Sequence, residues 1–148
     1  MLSPDFVGRV YPGVGTHEIQ ASSIAEFARA INDDNLAYLD PVAARALGYS
    51  NVVAPPTYLI TIALAESHRA MSDPILGLDW ARVVHGDQRF EFQRPVVAGD
   101  VLSCQTTIEA IKTVAGSEFV TVRADFADPE GISVARATSL LVFRGPDS

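Results

Sequence analysis

At 148 residues, with 48% hydrophobic and 20% charged positions, the chain holds enough apolar material for one domain. A chain of this length buries about 68–70% of its unfolded surface and needs no disulfide or metal staple. Eleven Lys and Arg against 18 Asp and Glu give a formal net charge of −7, which excludes a nucleic-acid surface or an anionic membrane as the main partner.

The first residues, Met1-Leu2-Ser3-Pro4-Asp5-Phe6, lack the basic start and apolar run of a secretory signal. No stretch approaches the roughly 18 apolar residues of a membrane span, so a cytoplasmic protein is expected. Pro12, Gly13 and Gly15 mark an early turn before the segment Thr16 to Gln20. The first predicted helix starts at Ser23-Ile24-Ala25-Glu26, a capping-box pattern in which the serine serves the Glu26 amide and the carboxylate reaches back. Ile24, Phe27, Ala28 and Ile31 give it one apolar face, and Asn32-Asp33-Asp34-Asn35 end it in turn-forming residues. Asp33 therefore stands where a helix gives way to a loop, a place that suits a reactive carboxylate and a plain cap equally well.

Asp40-Pro41 opens a second, short helix, with Asp40 as cap and Gly48 closing it. A longer helix is expected from Thr57 to about Met71. Its first half, Tyr58 to Ala65, is apolar almost all round and should be enclosed by other structure. Glu66, His68 and Arg69 mark its emergence toward solvent, and Asp73-Pro74 ends it. From Val83 onward the pattern turns to alternating and β-branched runs, giving four strands: Val83 to Gln93, Val101 to Val114, Phe119 to Phe126 and Ile132 to Phe143. Ala98-Gly99-Asp100, Ala115-Gly116-Ser117 and Asp128-Pro129-Glu130-Gly131 are the turns between them. Cys104 is the only cysteine and lies in the second of these runs, as a small buried residue rather than a reactive thiol. Helices followed by an antiparallel meander make an α+β order in one domain over 1–148, with one buried helix to fill a curved sheet.

Several chemistries are missing from the sequence. There is no Gly-x-Ser-x-Gly elbow, phosphate-binding glycine loop, Cys/His metal spacing or dinucleotide fingerprint, so neither a metal nor an organic cofactor is expected. The informative stretch is Asn32-Asp33-Asp34-Asn35-Leu36-Ala37-Tyr38-Leu39-Asp40. It resembles the catalytic loop of MaoC-like hydratases and dehydratases of the hotdog superfamily, roughly Asp-x-Asn-Pro-Ile-His-x-Asp before a short alanine-rich helix. Asp33 falls on the catalytic aspartate, Asn35 on the asparagine and Asp40 on the trailing aspartate. Tyr38 holds the histidine position and Leu36 the proline position. The resemblance continues through Val84-His85-Gly86-Asp87-Gln88-Arg89-Phe90-Glu91-Phe92, Arg94-Pro95-Val96 and Ala98-Gly99-Asp100-Val101-Leu102, similar to the dehydratase domains of type I fatty acid synthases. It implies a hotdog fold, a long central helix wrapped by an antiparallel sheet, with short extra helices of the MaoC type.

In that family the Asp and His handle protons on a 3-hydroxyacyl thioester, and a glycine amide at the mouth of the central helix binds the thioester oxygen. Here Tyr38, a phenol with a reference pKa of about 10, is a poor base. Pro56, in Ala54-Pro55-Pro56-Thr57-Tyr58-Leu59, falls on the glycine and has no N–H to offer. One lost oxyanion donor typically costs about 10² to 10³ in rate. His85 is the candidate rescuer beside the permissive Gly86, or else a structural histidine near a subunit interface; His17 has no evident neighbours.

The chain most resembles the non-catalytic partner subunits of actinobacterial (3R)-hydroxyacyl thioester dehydratases. The resemblance implies an acyl-CoA or acyl carrier protein thioester as ligand and a catalytic hotdog subunit as partner in a heterodimer. It makes Asn35, Pro56, Thr57, Tyr58 and Gln88 candidate substrate-binding residues. The alternatives are a self-sufficient homodimeric hydratase using Asp33 with Tyr38 or His85, and a hotdog acyl-thioester binding protein without turnover. Because the chain is acidic, docking of a polyanionic ligand needs a local basic patch drawn from Arg82, Arg89, Arg94 and Lys112, or a surface on another subunit; these cations read equally as ordinary solvated charges.

Overall fold

The computed structural model describes residues 2–144; the outermost residues of the expected 1–148 domain lie outside them. Six strands and three α-helices follow in the order β1 (Val10–Pro12), β2 (His17–Glu18), α1 (Ala21–Ala30), α2 (Pro41–Ala46), α3 (Ile60–Met71), β3 (Val83–Phe92), β4 (Val101–Val114), β5 (Ser117–Ala127) and β6 (Ser133–Phe143). The sheet is antiparallel in the order β1-β4-β5-β6-β3, with β2 also pairing β4. The α+β hotdog arrangement is thus present, but the expected meander is corrected. Only β4, β5 and β6 follow one another, while β3 crosses to the far side of β6 and becomes an edge strand. The crossover passes through the segment after Phe92, whose Val97 bridges Val53 while Val96 and Ala98 are buried.

The long strands form because their alternation and turns agree. β5 buries every second residue, so Val120, Val122, Ala124 and Phe126 line one face. β4 carries a bulge between Ile108 and Ala110 that shifts its inward face. Residues on these faces form two adjoining parts of the core. One centres on Leu59, Leu102, Phe126 and Val134, the other on Met71, Ile108, Val120 and Leu141. α3 reaches both, supplying Ala63 to the first and Ala70 and Met71 to the second. Its buried face is Ala63, Glu66, Ser67, Ala70 and Met71, mostly small residues that let the helix lie close to the sheet.

Three expectations about the helices are corrected. α1 begins two residues before Ser23, capped at Gln20 without a side-chain bond; Ser23 lies within the helix, and no capping box forms. Ile31 is the C-cap and is exposed rather than part of the buried face. α3 starts at Ile60, because Pro55 to Leu59 close tight turns first, with Tyr58 N–H donating to Pro55 O and Ile60 N–H to Thr57 O. Nor is α3 enclosed: Thr61, Leu64, Ala65 and His68 are exposed along one face.

Glu66 does not emerge into solvent. It is buried, accepts from Arg69 Nε at 3.0 Å and Nη2 at 2.9 Å, and meets His17 Nε2 at 3.1 Å. Arg69 also donates to Pro12 O. His17 therefore has partners after all, and this cluster ties the early strands to the helix. Gly13 allows the close approach, because a Cβ there would collide with the Cys104 carbonyl of β4. His68 is exposed, as expected, and packs on Trp80 with ring centroids 4.3 Å apart.

Cys104 is buried, and burial pushes its thiol up to about 12, with the Glu66 charge adding to the effect. Since only the thiolate reacts, iodoacetamide at about pH 8 should alkylate the folded chain roughly 10³-fold more slowly than a free cysteine. Mass spectrometry of the native and unfolded chain checks this; equal rates would show an open site. The folded value lies above the reference of 9.0, so this burial contributes stability that is complete below 9.0 and is lost as pH rises toward about 12.

Candidate active site

Two helix endings build the site. α1 closes with a Schellman motif: Asn32 adopts φ 56°, its N–H donates to Arg29 O at 3.1 Å, and Asp33 N–H reaches Ala28 O at 2.9 Å. α2 ends the same way on Gly48, φ 94°, with Gly48 N–H to Arg45 O at 3.0 Å and Tyr49 N–H to Ala44 O at 3.1 Å. Between them, Asp33 Oδ1 accepts from Asn35 N–H at 3.1 Å and Asn35 Oδ1 from Ala37 N–H at 3.0 Å, which winds Leu36–Tyr38 into a 3-10 turn. Asp40 then caps α2 through Val42 N–H at 2.8 Å, as expected. Ala37 O accepts from Val53 N–H at 3.0 Å, and Ala54 N–H donates to Val96 O at 2.8 Å, so the loop, the helix entrance and the crossover are fastened together.

These ties border an open cavity of about 370 Å³ lined by residues including Tyr38, Tyr49, Val53, Pro56, Phe92 and Val96. The structure thus brings together two of the positions at which the family's pattern is broken, Tyr38 and Pro56. Burial, then the neighbouring Asp33 charge, then Tyr49 raise the Tyr38 phenol above its ordinary 10.0. At neutral pH it is a hydrogen-bond donor and not a base. Tyr49 was not singled out from the sequence; the signal was its place directly after the glycine that ends α2.

The other candidates lie elsewhere. Asn35 is committed to its turn, and Thr57 is exposed at the approach to α3. Tyr58, expected beside the acyl chain, is buried under α1, edge-on to Phe27 at 5.5 Å. Burial raises its phenol and the Ser23 hydroxyl partly offsets that. His85 and Gln88 belong to β3. His85 Nε2 sits 3.1 Å from Gln88 Oε1 and 3.0 Å from Asp87 O, and Gln88 Oε1 accepts from the buried Ser139 hydroxyl at 2.6 Å. His85 lines a second, larger cavity of about 820 Å³ with Ile60, Leu64, Ala65, Trp80 and Val83, and does not line the cavity of Tyr38.

Two of the four cations considered for a basic patch are paired. Arg94 forms a fork with Asp100, at 2.8 Å and 3.0 Å, and Arg89 pairs with Glu91 at 3.0 Å. Asp100 also accepts from Val97 N–H at 2.9 Å, so it fixes the turn that carries the cavity wall into β4. Asp100→Ala should cost about 1.5–3 kcal/mol, read as a lower midpoint in urea unfolding, because charged hydrogen bonds are lost together. An unchanged midpoint would remove that role. Among the described residues no group of His, Cys, Asp and Glu could hold a metal ion.

A long helix laid along a curved antiparallel sheet, with an Asp-bearing loop and two short helices beside the helix entrance, defines a MaoC-type hotdog dehydratase fold. The chain belongs to the family described as FAS1-like, dehydratase domain region, which it matches over residues 5–137. It is 47% identical to a UPF0336 protein of Streptomyces avermitilis over 99% of this chain and 97% of that one. To the UPF0336 protein of Thermobifida fusca it is 44% identical over 97% and 95%. Among solved structures it resembles the HadBC (3R-hydroxyacyl-ACP dehydratase) complex of Mycobacterium tuberculosis, with a TM-score of 0.85 and 29% identity over 93% of this chain and 97% of that one. A MaoC-like dehydratase superposes with a TM-score of 0.88 at 33% identity, covering 96% of this chain and 43% of that one.

Proposed function

We propose that this chain is the substrate-binding, catalytically impaired subunit of a (3R)-3-hydroxyacyl-thioester dehydratase or enoyl hydratase of fatty-acid-type metabolism. It works in the cytoplasm beside a hotdog partner that carries the intact Asp and His. Dehydration needs a group to take the proton beside the carbonyl, a group to protonate the departing hydroxyl and donors for the enolate-like oxygen. The observation that carries the reading is the cavity holding Tyr38 and Pro56. The first is a phenol held protonated and the second has no N–H, so proton transfer and oxyanion binding are both weakened in one place.

The similarity to HadBC, a complex of two subunits, supports the partner. So does the surface: β3 is an edge strand, and beside it the exposed Leu64 and Ala65 of α3 leave an apolar face that a second chain of like fold would cover. The ligand is an acyl-CoA or acyl carrier protein thioester. No helix among the described residues is long and apolar enough to cross a membrane.

Assayed by itself with a 3-hydroxyacyl or enoyl thioester, the chain should turn over at least about 10³-fold more slowly than when assembled with its partner, reflecting the two weakened contributions. Robust activity of the isolated chain would reject the reading, and inactivity in every assembly would favour an acyl-thioester binding protein.

A further inference from the structure

We propose that the cavity between Tyr38, Tyr49 and Pro56 binds a neutral acyl carbonyl without turning it over, the two phenols donating to its oxygen, so that an assembled enzyme has a reacting and a non-reacting acyl site. This rests on the companion-subunit reading and extends it to what the impaired half still does.

The cavity is built, not left over. Two Schellman endings and the bonds from Val53 to Ala37 and Ala54 to Val96 fix its rim. Tyr38 and Tyr49 are both half-buried and both line it. No hydrogen bond within the described residues engages either hydroxyl, in contrast to Tyr11, whose hydroxyl donates to Asp73 at 3.2 Å. Two phenol hydroxyls in a cavity also lined by Val53, Val96 and Phe92 match a ligand with one acceptor oxygen and an apolar remainder. At about 370 Å³ the space suits a short acyl group with part of a pantetheine arm.

The charges select against an acid. Asp33 stands close enough to raise the Tyr38 phenol, and Arg94, the cation lining this cavity, already gives its fork to Asp100 and a further bond to Pro95 O at 3.0 Å. A thioester or amide carbonyl meets donors here, whereas a free carboxylate is disfavoured by the nearby Asp33 charge and finds its counter-ion engaged. The donors here are phenols, in a pocket where the family's pattern has a histidine and a glycine amide.

The test uses the assembled complex, with this chain alone isotopically labelled and the partner's own catalytic aspartate replaced so that nothing reacts. Crotonyl-pantetheine should shift the amide signals of Gly48, Tyr49 and Val53 saturably, and crotonate should not. Tyr38→Phe with Tyr49→Phe should weaken that binding at least about tenfold, and Tyr49→Phe alone by a smaller factor, with thermal melts confirming that both variants stay folded. Absence of the shifts, equal shifts with crotonate, or unchanged affinity in the double variant would overturn the proposal. Failure of the underlying reading is separately visible, because then the isolated, unsubstituted chain consumes the probe.

Discussion

Replacing Tyr38 with His and Pro56 with Gly together is expected to raise turnover of an enoyl thioester by the isolated chain by about 10² or more, with each substitution alone giving at most about tenfold. The first change puts a group that titrates near neutrality beside Asp33, worth roughly 10² to 10⁴ in proton transfer when well placed. The second restores an amide N–H at the entrance of α3, worth roughly 10² to 10³. Both positions line one cavity, so the gains should combine more than additively. The measurement is the initial rate of hydration of crotonyl-CoA, with melts to confirm folding. A folded double variant with no gain would mean that this cavity is not the counterpart of the family's reacting site.

The second large effect concerns assembly. Leu64 projects from the open face of α3 and is 40% exposed, so Leu64→Arg should change the stability of the free chain by less than about 1 kcal/mol. Under a partner, however, the guanidinium would be buried without a counter-charge, a cost of about 3 kcal/mol or more. Affinity for the partner should fall roughly 10²-fold or more, and turnover at matched low concentrations should fall with it, as read by analytical ultracentrifugation and assay side by side. Assembly at full strength with Arg at this position would place the partner elsewhere.

How much could be read in advance depended on whether the cause was local. β4 was expected from Val101 to Val114 and has those ends, because turn residues bound it on both sides and its apolar residues alternate. The Asp40-Pro41 start and the Gly48 end of α2 are likewise local signals with local causes. The placement of β3 at the sheet edge was not legible, because strand order follows from which surfaces pair after the chain crosses over. Glu66 read as an exposed helix residue since its partner His17 comes from 49 positions earlier. The first half of α3 reads as an enclosed helix because Tyr58 to Ala65 is apolar almost all round; the fold covers one side of it and leaves the other open.

At the site, Tyr38 and Pro56 were legible as departures from a known pattern, and the structure adds that they share one cavity. Tyr49 was not, because its role depends on the left-handed turn at Gly48 aiming the next residue. His85 illustrates the opposite limit. Its neighbours in sequence suggested a reactive place, whereas its contacts with Gln88 and Asp87 put it on a different cavity.

The central claim is that proton transfer belongs to the partner and not to this chain, whose Asp33 serves as a turn residue accepting from Asn35 N–H. It is tested most directly by kcat of the assembled enzyme carrying Asp33→Asn in this chain, compared with the same substitution at the partner's catalytic aspartate. The account predicts a change within about twofold for the first and a loss of about 10² or more for the second. A loss of that size from Asp33→Asn in a complex that still assembles would contradict it.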